Sequence, residues 1–211
     1  MDTAPLWAEI DLKAIAHNVR ELRRITRPQA CLMAVVKANG YGHGAVEVAR
    51  EALQNGAQYL GVARINEAIP LRQAGLEVPI LIFGYSPPDL APVLMDFELT
   101  QTVYSLSTAS ALSEQATRKG EKINIHLKVD SGMGRLGLLL DARVRSLASL
   151  VKQLGVAIEV AAHDVLESGH EVAAQIARAD GVAPDQADRP DDALAGDVVG
   201  GGDQHRTVHE T

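Results

Sequence analysis

Residues 35–44 read Val-Val-Lys-Ala-Asn-Gly-Tyr-Gly-His-Gly, and this stretch decides the fold class. It joins the end of an apolar run, residues 31–36, to a loop with three glycines, and an amphipathic helix pattern follows the loop. A buried strand followed by a glycine-rich loop and a helix is typical of an α/β fold with a parallel sheet. Lys37 lies at the carboxyl end of this strand, where parallel-sheet enzymes build their active sites.

The same alternation of strand and helix patterns continues to about residue 160. Apolar, β-branched runs predict strands at 31–36, 59–63, 79–83, 100–104 and 123–129, with a sixth beginning at 156. Amphipathic spacing predicts helices at about 12–25, 43–54, 66–74, 87–96, 107–118 and 141–154, with Asp11 and Asn66 as N-caps. Such a series predicts either a (β/α)8 barrel or an open doubly wound sheet. About five and a half of the eight βα units of a barrel are visible.

Lys37 is the first candidate for chemistry. A lysine that emerges from an apolar strand is partly withdrawn from water, and its neutral amine can attack a carbonyl carbon to form a Schiff base. Pyridoxal phosphate requires such a lysine, and the amide groups of a glycine loop suit a phosphate near the start of the next helix. Position alone favours another interpretation, in which the lysine reaches solvent above an ordinary turn.

A second stretch, residues 123–130, alternates strictly between apolar and polar side chains. The isoleucine, leucine and valine residues share one face of the predicted strand, and Asn124, His126, Lys128 and Asp130 share the other. Both faces of a parallel sheet are normally covered, so a polar stripe that points into a barrel indicates function. For His126 itself we favour a hydrogen-bonded core histidine over a ligand role.

Residues 35–44 resemble the cofactor-lysine motif of the alanine racemases, and the likeness extends beyond them. Residues 7–12 (Trp-Ala-Glu-Ile-Asp-Leu) resemble the opening strand of that family, and residues 61–68 resemble the segment after its second strand. Residues 126–137 (His-Leu-Lys-Val-Asp-Ser-Gly-Met-Gly-Arg-Leu-Gly) resemble its arginine motif. By this resemblance the chain is identified as a member of the family, truncated or frameshifted after about residue 159.

The resemblance implies the family's fold, activity and cofactor. The fold is a (β/α)8 barrel of the TIM type, here incomplete, which the family joins to a β-rich C-terminal domain. The activity is the interconversion of L-alanine and D-alanine with pyridoxal 5'-phosphate as cofactor, an isomerase reaction that supplies D-alanine for the cell wall. Members of the family are homodimers that act on a small amino-acid substrate.

The resemblance also assigns roles to individual residues. Lys37 would hold the cofactor as an aldimine and act as one of two proton-transfer bases, and Tyr41 would reach the cofactor phosphate. Arg135 would contact the phenolic oxygen of the cofactor and the carboxylate of the substrate, which a bidentate cation suits. Lys128 matches a lysine that many members carry as a carbamate, which would orient Arg135. Ser131 stands where a threonine is more usual.

Residues 160–164 echo the family's next strand only loosely, which makes His163 the candidate for the histidine that stacks on the cofactor ring. The family's opposite base is a tyrosine of the C-terminal domain, and the last tyrosine of this sequence is Tyr104. We therefore expect racemisation by this chain alone to be impaired.

Composition changes near residue 160. Residues 1–160 carry a net charge of +1, whereas residues 161–211 carry −8 and contain no lysine and no aromatic residue. We predict a partial barrel domain over 1–160, followed by an acidic tail that is disordered or translated out of frame, with no C-terminal β domain.

Composition also excludes several classes of protein. The net charge of −7 argues against a general nucleic-acid-binding surface. Apolar runs stay below the roughly 18 residues of a membrane span and the N-terminus lacks a secretory pattern, which predicts a cytoplasmic protein without a membrane partner. Cys31 is the single cysteine, so we expect no disulfide and no metal site, and we interpret Cys31 as a core residue.

Two alternatives to a racemase stay open. One is a non-catalytic protein that binds pyridoxal phosphate, and the other is a pseudoenzyme fragment without a cofactor. Turnover of alanine distinguishes the racemase, and cofactor absorbance without turnover distinguishes the binding protein.

Overall fold

The computed structural model describes residues 8–130 and 132–139 and the backbone of residues 157–160. The main sheet comprises β1 (Met33–Val35), β2 (Tyr59–Val62), β3 (Ile80–Ile82), β4 (Thr100–Val103), β5 (Asn124–Leu127) and β8 (Ala157–Val160). A second, two-stranded sheet comprises β6 (Val129–Asp130) and β7 (Leu138–Leu139). The helices are α1 (Leu12–Ile25), α2 (Lys37–Tyr41), α3 (Ala45–Gln54), α4 (Ile65–Gln73), α5 (Ala91–Asp96) and α6 (Leu106–Lys119), with a 3₁₀ turn at Pro88–Leu90.

The strand order decides between the two architectures that the sequence allowed. The main sheet runs β1-β2-β3-β4-β5-β8, every neighbouring pair is parallel, and the order follows the chain without reversal. A doubly wound sheet reverses direction at a switch point, whereas a (β/α)8 barrel winds in one direction only. The prediction of an α/β fold of the barrel type, with a partial set of units, is confirmed.

One face of the main sheet packs against the helices and forms the core. Fully buried leucine and isoleucine side chains lie on both sides of this contact, among them Leu60, Ile80 and Ile125 on strands and Leu71 and Leu112 on helices. Each such side chain contributes roughly 1.5–3 kcal/mol by leaving water. This core holds the strands parallel to one another, so that their carboxyl ends lie along one edge of the sheet, where the candidate site is found.

The opposite face, which we call the inner face, is polar in its centre. The register places Thr102 beside His126, and the Tyr59 hydroxyl lies 3.4 Å from Nε2 of His126 and 3.5 Å from Oγ1 of Thr100. His126 is 5% exposed, as our interpretation of a core histidine requires. The polar stripe predicted from residues 123–130 therefore faces away from the helices.

The strands of the main sheet and the helices α1 and α3–α6 overlap those predicted, but α2, β6 and β7 were not predicted. Two further expectations were wrong. The N-cap of α4 is Arg64 rather than Asn66, because Glu67 reaches back to the backbone of Arg64 and starts the helix earlier. Cys31 is exposed, not buried in the core. The segment before β1 is held by Arg23, whose guanidinium donates hydrogen bonds to the backbone oxygens of Thr26 and Ala30.

Several predictions fall outside the described residues. They concern the helix at 141–154, the tail at 161–211 and its predicted disorder. Among the helices that the structure does describe, none has the length and apolar character of a membrane span.

Candidate active site

Lys37 lies at the carboxyl end of β1, as the sequence predicted. Its neighbour Val36 is 1% exposed and extends the ladder by donating its N–H to the backbone oxygen of Gly61 at 2.8 Å. Lys37 itself is half-buried, and its Nζ atom lies 5.8 Å from the centre of the exposed Tyr41 ring. Among the described residues, no carboxylate forms an ion pair with this amine.

The short element α2 (Lys37–Tyr41) is a left-handed turn and not an ordinary right-handed helix, which the sequence did not reveal. The φ and ψ angles are 51° and 48° at Ala38, 55° and 47° at Asn39, and 62° and 37° at Gly40, and Tyr41 also has a φ of 55°. Glycine adopts this conformation freely and asparagine tolerates it, but it costs other L-residues about 1–2 kcal/mol each. Ala38 and Tyr41 therefore need specific contacts to hold them there.

Asn39 supplies some of these contacts. Its Oδ1 accepts a hydrogen bond from the Ala45 N–H at 3.0 Å and so caps the start of α3. Its backbone oxygen accepts hydrogen bonds from the N–H groups of Gly42 at 3.1 Å and Gly44 at 3.0 Å. The turn is thereby fastened to the helix that follows it.

Glu67 supplies the others, from the next βα unit. Its Oε1 accepts a hydrogen bond from the Ala38 N–H at 2.9 Å, and its Oε2 accepts from Ala63 at 2.7 Å and from Arg64 at 3.2 Å. Hydrogen bonds to a charged group contribute about 1.5–3 kcal/mol each, enough to offset the left-handed conformation of a residue such as Ala38. Sequence reasoning gave Glu67 no role, although an acidic residue in a first helical turn beside the Lys37 strand is a usable signal.

The expectation that the glycine loop offers free amides to a phosphate was wrong for most of the loop. The following N–H groups donate to oxygens within the turn or at the end of β1: Gly40, Gly42, His43, Gly44 and Ala45. Because these N–H groups already donate hydrogen bonds that hold the turn, they are not free to bind a phosphate. Lys37 and Tyr41 remain as accessible polar groups here, and an unpaired amine beside an exposed phenol fits a ligand with an aldehyde and a phosphate.

Arg135 lies in the exposed loop between β6 and β7. Oδ1 of Asp130 accepts hydrogen bonds from the N–H groups of Gly132 and Gly134, both at 3.0 Å. These N–H groups, that of Gly134 most of all, hold the pKa of Asp130 below its ordinary value, with smaller contributions from the Met133 amide and the charge of Lys128. Asp130 thereby shapes the loop that carries Arg135.

Lys128 lies where β5 passes from its partner β4 to the second sheet. Its N–H donates to the backbone oxygen of Val103 at 2.8 Å, and its own oxygen accepts from Leu138 at 3.0 Å. Its side chain is half-buried. Two residues of β6 separate Lys128 from the loop that carries Arg135, and its carbamate and its orienting role stay predictions.

The structure brings Lys37, Tyr41 and Glu67 together, and it places Arg135 farther around the same edge. Lys37 follows β1 and Arg135 follows the β5–β6 segment, four strands along a sheet whose carboxyl ends all point one way. Neighbouring strands are about 4.8 Å apart, so only a curled sheet can bring both residues to one ligand. His163 and Ser131 lie outside the described residues.

Residues 10–189 match the family model described as alanine racemase, N-terminal domain. The chain belongs to the alanine racemase family. It is 51% identical to an alanine racemase of Methanococcus maripaludis over 139 residues, which are 66% of this chain and 37% of that protein. It is 53% identical to an alanine racemase of Desulfosudis oleivorans over 138 residues, 65% of this chain and 35% of that protein.

Solved structures give the same result. The chain resembles the alanine racemase of Clostridium difficile 630 in complex with cycloserine, with a TM-score of 0.79 and 32% identity over 87% of this chain and 54% of that one. Membership of the alanine racemase family, which residues 35–44 and 126–137 predicted, is confirmed. The chain spans little more than a third of the length of the curated racemases it matches. The family match runs to residue 189, past the boundary at 160, which stays a prediction.

Proposed function

We propose that this chain provides the cofactor-lysine side of a pyridoxal 5'-phosphate-dependent racemase that interconverts L-alanine and D-alanine. The observation that carries the proposal is the placement of Lys37. Its half-buried amine stands at the carboxyl end of a parallel strand, unpaired by any described carboxylate, on a turn fastened from two sides. Such a position lets an amine form a covalent bond with a carbonyl carbon.

When bound, pyridoxal phosphate supplies an aldehyde for attachment and a conjugated ring that stabilises negative charge at the substrate's alpha carbon. Lys37 binds the aldehyde through Nζ and later moves a proton at the alpha carbon. Tyr41 donates a hydrogen bond from its hydroxyl to the phosphate. Its ring lies close enough to Lys37 to limit where the amine can move.

We propose that Arg135 binds anionic oxygen, namely the cofactor's phenolic oxygen and the substrate carboxylate. The guanidinium group stays charged at every physiological pH and presents parallel N–H donors that match a carboxylate. Lys128, which precedes the two residues of β6, would orient Arg135 when its amine carries a carbamate. His163 is proposed to stack on the cofactor ring.

A complete racemase needs a second proton-transfer base in addition to Lys37. The family's opposite base is a tyrosine of the C-terminal domain, and Tyr104 is the last tyrosine in this sequence. We propose that these 211 residues alone bind the cofactor and racemise alanine poorly, with 1–160 as a partial barrel and 161–211 as a separate acidic tail. The complete enzyme would be a cytoplasmic homodimer that supplies D-alanine for the cell wall.

A second candidate function is cofactor binding without turnover. It requires only that the cofactor attach to the half-buried amine of Lys37. The residues that support attachment, Lys37 and Tyr41, are present in either case.

The experiment combines two measurements on the purified full chain. Titration with pyridoxal phosphate reports attachment by visible absorbance, and incubation with L-alanine reports turnover by the appearance of D-alanine. Absorbance with slow turnover supports the racemase, and absorbance without any turnover supports the binding protein. A chain that shows neither would contradict both candidates.

A further inference from the structure

We propose that Glu67 is a positioning residue for Lys37, whose carboxylate holds the left-handed turn that aims the lysine amine at its carbonyl partner. The inference deepens the proposed function and rests on it. Nothing in the family likeness assigns this role, which follows from three hydrogen bonds.

The three donors come from two different βα units. Ala38 belongs to the turn after β1, while Ala63 and Arg64 belong to the segment after β2. The Glu67 carboxylate therefore joins the carboxyl ends of two neighbouring strands at the edge where Lys37 emerges. A helix cap alone would need only the bonds to Ala63 and Arg64.

The bond to Ala38 acts directly on the backbone of Lys37. The Ala38 N–H and the Lys37 carbonyl belong to one planar peptide unit, so fixing the N–H fixes ψ of Lys37. That angle, together with the left-handed geometry of residues 38–40, sets the orientation of the chain around Lys37 Cα. Without the bond, Ala38 would lose the contact that keeps it at a φ of 51°.

A carboxylate suits this position better than any neutral group of the same shape. All three partners are N–H donors, and the two oxygens of a carboxylate accept on both sides. The amide of Glu67→Gln has one oxygen and one NH₂ group, so it must turn a donor toward either Ala38 or the pair at 63 and 64.

The test compares the full chain with Glu67→Gln and with Glu114→Gln as a matched control. Glu114 is an exposed carboxylate on α6 whose described partner is the Arg118 guanidinium, far along the sequence from the site. Two quantities are measured: the apparent dissociation constant for pyridoxal phosphate by absorbance, and amide hydrogen exchange at Ala38 without the cofactor. Thermal unfolding verifies that each variant folds.

We expect Glu67→Gln to weaken attachment about tenfold and to speed exchange at Ala38 by a similar factor, because a hydrogen bond to a charged group is lost. Glu114→Gln should match the unmodified chain in both measurements. A Glu67→Gln variant that folds, exchanges at Ala38 at the normal rate and attaches the cofactor normally would overturn the proposal.

Two further outcomes keep the proposal separate from the proposed function. If the unmodified chain attaches no cofactor, the proposed function fails, while exchange at Ala38 still decides whether Glu67 holds the turn. If Glu67→Gln does not fold, the rate of amide exchange at Ala38 in the unmodified chain tests the proposal. Slow exchange at Ala38, an exposed residue, would support the proposal, and exchange at the rate of a free peptide would overturn it.

Discussion

The Nζ atom of Lys37 lies 5.8 Å from the centre of the Tyr41 ring, at the two ends of a turn in which residues 38–41 all have positive φ angles. The backbone conformation of this turn sets the position of the phenol relative to the amine. The two side chains form the centre of the candidate site, and substitution of each should have a different effect on cofactor binding.

Tyr41→Phe should weaken binding of pyridoxal phosphate about tenfold, since it removes one hydrogen bond to a charged phosphate and keeps the ring. Binding of pyridoxal, which lacks the phosphate, should not change. Absorbance titration of both compounds measures the difference. Equal losses for the two compounds would show that the Tyr41 hydroxyl does not contact the phosphate.

Arg135→Ala should weaken cofactor or substrate binding by about 1.5–3 kcal/mol if the guanidinium contacts anionic oxygen. Arg118→Ala, a change at an exposed arginine paired with Glu114, is the control and should have little effect. Titration calorimetry with cofactor and then with alanine checks both steps. Unchanged dissociation constants at both steps would show that Arg135 contacts neither the cofactor nor the substrate.

The Asp130 carboxylate should titrate below its ordinary pKa of 3.8, because the backbone N–H groups of Gly134 and Gly132 stabilise its charged form. A group whose pKa is lower in the folded state stabilises fully above its unfolded pKa, and the contribution is lost as pH falls through the folded pKa. The β6–β7 loop should therefore loosen only in strong acid. NMR titration of the Asp130 carboxyl carbon measures the midpoint, and a midpoint above 3.8 contradicts the geometry.

Gly61→Ala should destabilise the fold by about 1–3 kcal/mol, as overpacking in a filled core does. A Cβ atom at Gly61 would overlap Cζ of Phe83 and would lie 3.1 Å from Sδ of Met33. Urea unfolding measures the decrease in the free energy of unfolding. Adding Phe83→Leu should recover part of it, and a double variant less stable than Gly61→Ala would show that the ring is not the obstacle.

Local patterns in the sequence predicted the sheet and the position of Lys37, because strands and amphipathic helices leave periodic signals. The left-handed turn could not be predicted in this way. Its two unfavourable residues, Ala38 and Tyr41, adopt positive φ angles in a turn held by contacts that include the distant Glu67. Similarly, Cys31 is exposed although it begins the apolar run at 31–36, because a run of apolar residues does not say where the strand begins.

Covalent trapping at Lys37 tests the central claim most directly. The full chain is incubated with pyridoxal phosphate, reduced with borohydride, digested and mapped by mass spectrometry. We expect a reduced adduct on Lys37 that disappears in Lys37→Ala and in Lys37→Arg, whose guanidinium cannot attach, and persists in Lys122→Ala, which alters an exposed lysine. An adduct retained by Lys37→Ala, or one found only on other lysines, would contradict it.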